Sequence, residues 1–204
     1  MKRILTFACI LMISTSTYCQ TGAQYLKSKA LQFSFNGLNL SSFGGGVGGK
    51  LWIDDCNALS LAIGGTHSYD NSDPNPQQTG QTNSQSIVQL QFGVEVHSSV
   101  SNEFSPYVTG AIFGRYESRS SKATYPWTST SQESKYRSTN IGLLVGFGAE
   151  YWISNRMSLS GQQTFQLSYG IGSQEDISSV DSKQNTHGFD VGLGTSSLIL
   201  AVYF

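Results

Sequence analysis

Between residues 88 and 97 the chain alternates without a break, with Val88, Leu90, Phe92, Val94 and Val96 on one parity and Gln89, Gln91, Gly93, Glu95 and His97 on the other. A period of two places the sets on opposite faces of a β-strand. Residues 141–153 repeat the pattern, with Ile141, Leu143, Val145, Phe147, Ala149, Tyr151 and Ile153 facing away from Gly142, Gly146, Gly148 and Glu150. A third run, 159–172, sets Leu159, Phe165, Leu167, Tyr169 and Ile171 against Ser160, Gln162, Thr164, Gln166, Ser168 and Gly170. Further strands are predicted at 31–36, 47–53, 59–66, 107–116 and 189–204, which makes eight. The longer runs match the roughly 9–11 residues of a tilted membrane strand.

The turns also repeat. Trp52-Ile53-Asp54-Asp55 leads to Leu59-Ser60 at the spacing by which Trp152-Ile153-Ser154-Asn155 leads to Leu159-Ser160, and residues 100–105 resemble 153–158. A repeat of this length is one strand up, one long loop, one strand down and one tight turn. Long polar stretches at 67–86, 118–138 and 172–186 are predicted to be loops at one rim, with short turns at the other. That sorting belongs to membrane barrels. The large apolar residues are assigned to the lipid face, and the Gly, Ser, Thr and Gln positions to a crowded lumen. In the last strand Phe189, Val191 and Leu193 set one parity while Leu198, Leu200, Val202 and Phe204 set the other, so a bulge is predicted near 195–197.

Composition sharpens the picture. Only 12% of the 204 residues are charged, about half the usual share. No basic stripe points to nucleic acid. Lys2 and Arg3, an apolar run over 4–13 and small residues after it read as a signal peptide, assigned to 1–19 with cleavage before Gln20 and a barrel domain over 20–204. Lipidation of Cys19 is the competing reading, disfavoured by Tyr18 and Ser16. With Cys9 and Cys19 removed, Cys56 remains alone and no disulfide framework is expected. No stretch is apolar for long enough to be a membrane helix.

The candidate chemistry lies mostly on the small-residue face. Lys50, Glu95, Glu150 and Asp190 are all assigned inward, where isolated charges are costly and an interior ion-pair cluster is expected. Trp52 and Trp152 either plug the lumen or belong to an interfacial girdle. The glycine-rich stretch 44–50 fits phosphate-loop spacing by letter but leads into Leu51 and a strand, so no nucleotide or other cofactor is expected. The three histidines are scattered, with no metal cluster or catalytic set; His97-Ser98, His67-Ser68-Asp70 and His187-Asp190 are read as rim residues. Tyr125 and Trp127 form an aromatic cluster in a polar loop.

The repeated turns, the glycine-rich segment running into Leu51-Trp52-Ile53 and the terminal Phe204 together resemble the small outer-membrane β-barrel domains of diderm bacteria, the OmpA- and OmpX-like barrels. The resemblance spans about residues 31–204. It implies an all-β, eight-stranded antiparallel up-and-down transmembrane β-barrel in the outer membrane, surrounded by lipid and lipopolysaccharide. It implies assembly by the barrel-assembly machinery with Phe204 as the signal; no periplasmic peptidoglycan-binding domain is expected, since the chain ends with the barrel. The expected function is non-enzymatic, structural or surface-interacting, with any extracellular ligand held by the long loops. A narrow channel for small solutes or hydrophobic compounds is the second reading, and a lipid A-modifying enzyme a remote third.

Overall fold

The computed structural model describes residues 29–36, 44–72, 80–98, 103–125, 130–177 and 182–204. Eight strands follow in chain order: β1 (Lys29–Asn36), β2 (Gly44–Trp52), β3 (Asn57–Ser72), β4 (Gly80–His97), β5 (Phe104–Tyr125), β6 (Thr130–Ser154), β7 (Met157–Ile177) and β8 (Ser182–Tyr203). Each pairs antiparallel with the next, and β1 pairs with β8 from Ala30↔Tyr203 to Asn36↔Ser197, closing the barrel. Closure removes the free sheet edge that a bilayer could not solvate.

The faces follow the alternation. Leu90 and Ile141 point outward at 55% and 68% exposure, among a belt that includes Ile63, Phe92, Val145 and Leu167. Burying each such side chain in lipid is worth roughly 1.5–3 kcal/mol, whereas in water the belt would be an aggregation surface. A soluble barrel with its apolar set inside is therefore not what the chain builds. Inward glycines make room for large lumen residues: a Cβ on Gly148 would lie 2.6 Å from the Tyr107 ring, and one on Gly142 would lie 2.7 Å from Phe113.

The bulge is real and sits slightly earlier than expected. Gln163 pairs with Ser196 but Phe165 pairs with Leu193, so Gly194 and Thr195 together oppose Thr164. Thr164 Oγ1 accepts from Thr195 N at 2.9 Å and donates to Thr195 O at 3.1 Å, clamping the extra residue. Both parities of β8 thereby keep their apolar residues outward.

The long loops need correction. Much of 67–86, 118–138 and 172–186 is paired strand: β5 and β6 stay in register to Tyr125↔Thr130, and β3 and β4 to Ser72↔Gln81. These stretches lack apolar alternation because neither face meets lipid there, and polar ladders leave no period-two signal. At 25 residues, β6 far exceeds a membrane crossing.

The short turns hold by side-chain caps. Asp54 Oδ1 accepts from Cys56 N at 2.8 Å and Asn57 N at 2.7 Å, and Asn57 Nδ2 donates to both Asp54 oxygens. Burial raises the Asp54 carboxyl, but these hydrogen bonds outweigh it and hold the group below its ordinary value. Cys56 is buried and disulfide-bonded, which departs from the expectation of no disulfide; Cys9, Cys19 and the whole segment assigned as signal peptide lie outside the described residues.

Barrel closure is checked on SDS gels, where outer-membrane fractions run at a different apparent mass before and after boiling; an unchanged mobility contradicts a closed barrel. The Asp54 cap is checked by pH. A carboxyl with a lowered folded-state value stabilises above its ordinary titration near ~4, and that stabilisation is lost as pH falls through the lowered value. Asp54→Ala therefore costs about 0.5–1.5 kcal/mol at neutral pH and nothing in strong acid, read from urea unfolding in lipid vesicles. A loss independent of pH would assign the effect to the turn backbone instead.

Candidate functional site

The two turn repeats place Lys50 and Glu150 at equivalent positions: Lys50 pairs with Ser60 across β2–β3, and Glu150 pairs with Ser160 across β6–β7. Both side chains point inward at one level of the lumen, and Lys50 Nζ donates to Glu150 Oε2 at 2.8 Å. Glu95, inward on β4, lies 2.7 Å from the same nitrogen, and His97 Nε2 lies 3.1 Å from it. Lys50 is 3% exposed and Glu150 1%, so the cluster is sealed from solvent.

An ammonium has three protons and here meets three acceptors. His97 Nε2 is then the accepting nitrogen, and its Nδ1–H donates to Ser105 Oγ at 3.1 Å. The 3.2 Å approach of His97 Nε2 to Glu95 Oε2 follows from the two sharing one ammonium. One cation faces two carboxylates, and neutral donors meet the excess: Ser158 Oγ and Tyr203 Oη, the latter at 2.8 Å, both donate to Glu150 Oε1.

Aromatic rings close the cluster. Trp52 lies 4.5 Å from the His97 ring and Tyr107 stacks on it at 4.8 Å, while Trp152 and Tyr203 meet at 4.6 Å. Lys50 Nζ sits 4.8 Å from the Trp52 ring centroid, a cation–π contact. Trp52 and Trp152 are both buried, with Ala30, Ala58, Ala201 and Tyr203, so they plug the lumen rather than join an outer girdle. The floor lies level with the short turns.

Above the floor the lumen is polar. A cavity of about 210 Å³ is lined by Gln32, Ser34, Gln91, Glu95, Gln162 and Arg115 among others. Glu117, buried, divides it from the mouth; it accepts from Gln85 at 3.0 Å and pairs with Arg115 at 3.4 Å and with Arg119. Beyond lies a second cavity of about 570 Å³ opening at the tall rim.

Three of the four charges assigned to the interior cluster meet; Asp190 does not. Asp190 is exposed, high on β8 opposite Ser168, and accepts from Gln166 Nε2 at 3.1 Å. Parity alone put it inward; height along the strand separates it. His97, read from sequence as a rim residue, lies inside the cluster, and the missed signal was its parity with Glu95. Tyr203 could have been found the same way, between outward Val202 and Phe204. His67 bonds Ser86 at 2.9 Å on the outer face, opposite in parity to Ser68 and Asp70, and His187 is likewise out of phase with Asp190. Stretch 44–50 is strand β2, with no helix after it. Tyr125 ends β5, half-buried, and Trp127 lies outside the described residues. Phe204 points outward at 80% exposure, its N–H donating to Lys29 O at 2.9 Å.

Ser105, His97 and Glu95 have the order of a nucleophile, base and orienting acid. Rings press on the imidazole and Ser105 is buried, so there is no position for a reacting carbonyl.

Removing the central cation leaves two buried carboxylates facing each other. Lys50→Met costs about 3–5 kcal/mol in urea unfolding from vesicles, and adding Glu95→Gln with Glu150→Gln restores most of it. An unmoved Lys50→Met midpoint would refute the central role of the ammonium.

No protein-family model and no curated protein matches the chain. Among solved structures, a major outer membrane protein from Thermus thermophilus is similar at a TM-score of 0.53 and 18% identity, over 87% of this chain and 98% of that one. The outer membrane protein OprG from Pseudomonas aeruginosa is similar at 0.56 and 10% identity, over 87% and 96%. By its closed eight-stranded antiparallel sheet and its outward apolar belt, the chain has the fold of these small outer-membrane β-barrels.

Proposed function

We propose that the protein is a non-enzymatic barrel, sealed at its periplasmic floor, that holds a tall extracellular wall of paired strands for surface interaction. The observation that carries this reading is the floor itself. Lys50, Glu95, Glu150 and His97 fill the section of the lumen level with the short turns, and Trp52, Tyr107, Trp152 and Tyr203 fill the space around them. Short turns belong to the periplasmic side of such barrels, and eight strands leave an interior just wide enough for side chains.

The remaining parts agree. The belt takes outer-membrane lipid and lipopolysaccharide as its solvent. Outward Phe204, in alternation with Val202, Leu200 and Leu198, is the signal offered to the barrel-assembly machinery. An extracellular ligand would meet the aqueous ladders of β3 to β8 and the Tyr125 end of β5 before anything else. The polar cavities above the floor favour the alternative, a narrow channel, only if the Lys50 cluster opens.

Planar-bilayer recordings decide between them. The sealed barrel gives no discrete conductance steps under an applied voltage. Steps that change on Glu95→Gln or Glu150→Gln would replace the sealed reading with the channel.

A further inference from the structure

We infer that the extracellular mouth of the lumen is a binding site for a short neutral oligosaccharide. This deepens the surface-interaction reading and rests on it. The mouth is a cavity of about 570 Å³ walled by β3, β4, β5, β6 and β7, within the roughly 300–1,000 Å³ of small-molecule sites. Its walls carry hydroxyls, amides and carboxylates and a single aromatic ring, and apolar side chains are lacking among the described lining residues.

Several of these groups are unspent. The hydroxyls of Ser68, Ser134 and Tyr136 and the Asp70 carboxylate have no hydrogen-bond partner among the described residues. They come from β3 and β6, so they lie on two separate walls of the opening rather than cluster on one. A ligand bearing many hydroxyls, each both donor and acceptor, matches such a set. Asp70 accepts only, and pairs with a hydroxyl donor.

Charge narrows the class. Glu117 is pinned between Arg115 and Arg119, and Asp70 balances the guanidinium left over. Among the described lining residues the one cation, Arg119, is paired through its Nε with Glu117, and Asp70 repels a phosphate or sulfate. Tyr136 supplies the flat surface on which the C–H face of a sugar ring packs. A Cβ on Gly172 would lie 3.1 Å from Tyr136 Oη and 3.2 Å from its Cε2, so the glycine lets this ring lie along the β7 wall.

The test uses full-length protein folded in an amine-oxide detergent, since sugar detergents would compete. Maltotriose and triacetylchitotriose are titrated by calorimetry, with a sulfated trisaccharide as the charged comparison. At least one neutral trisaccharide binds saturably, and Asp70→Asn and Tyr136→Ala each weaken it by roughly tenfold while keeping the heat-dependent gel shift. No saturation with either neutral probe, preference for the sulfated one, or affinity unmoved in both variants would overturn the inference. The conductance recording is independent of this titration. A silent barrel that ignores sugars removes only the oligosaccharide, whereas a conducting one removes the surface reading beneath it.

Discussion

A single ammonium in a closed tube organises this molecule. Lys50 cannot reach water, because the eight-stranded wall is continuous and aromatic rings cover the cluster from the sides. Every group near it is therefore set by the need to use three protons and to balance two carboxylates. That requirement fixes which nitrogen of His97 accepts, why Ser158 and Tyr203 turn toward Glu150, and why the floor is built from β2, β4, β6 and β8 together. A buried ion cluster gives little net stability over an apolar one. Its value here is geometric, since four strands must be in register for it to form.

Seen along its axis, the barrel interior falls into three zones. The floor is dry and charged, the middle is polar, and the mouth is open to the outside. Outside the wall the order is different, with an apolar belt giving way to polar ladders. The sequence needs only one pattern to serve the membrane section, large apolar residues alternating with small polar ones. Above it, both faces become polar.

How much of this could be read from residues differs by level. The strand count, the two faces and the β8 bulge were legible because lipid on one side and crowding on the other impose a strict period. The Lys50–Glu95–Glu150 meeting was legible as a face, since the turn repeats put Lys50 and Glu150 in the same place. It was not legible as a set of partners, because parity gives direction and not height, and Asp190 was grouped with residues far below it. His97 was misjudged for lying beside a turn. The aqueous ladders were read as loops because their order comes from backbone pairing, which leaves no trace in side-chain polarity.

Those ladders have a weakness that the belt does not share. In the bilayer, a slip of one residue would turn every leucine and valine of a strand into the lumen, so the register there is strongly enforced. From Ser118↔Arg137 upward, β5 and β6 are mostly polar on both sides, and the same slip would change little in burial. The upper part of the wall therefore takes its alignment from below, like the free end of a zipper whose slider is locked in the membrane. Substitutions there can vary the surface widely without misfolding the protein, provided that the membrane section stays in step.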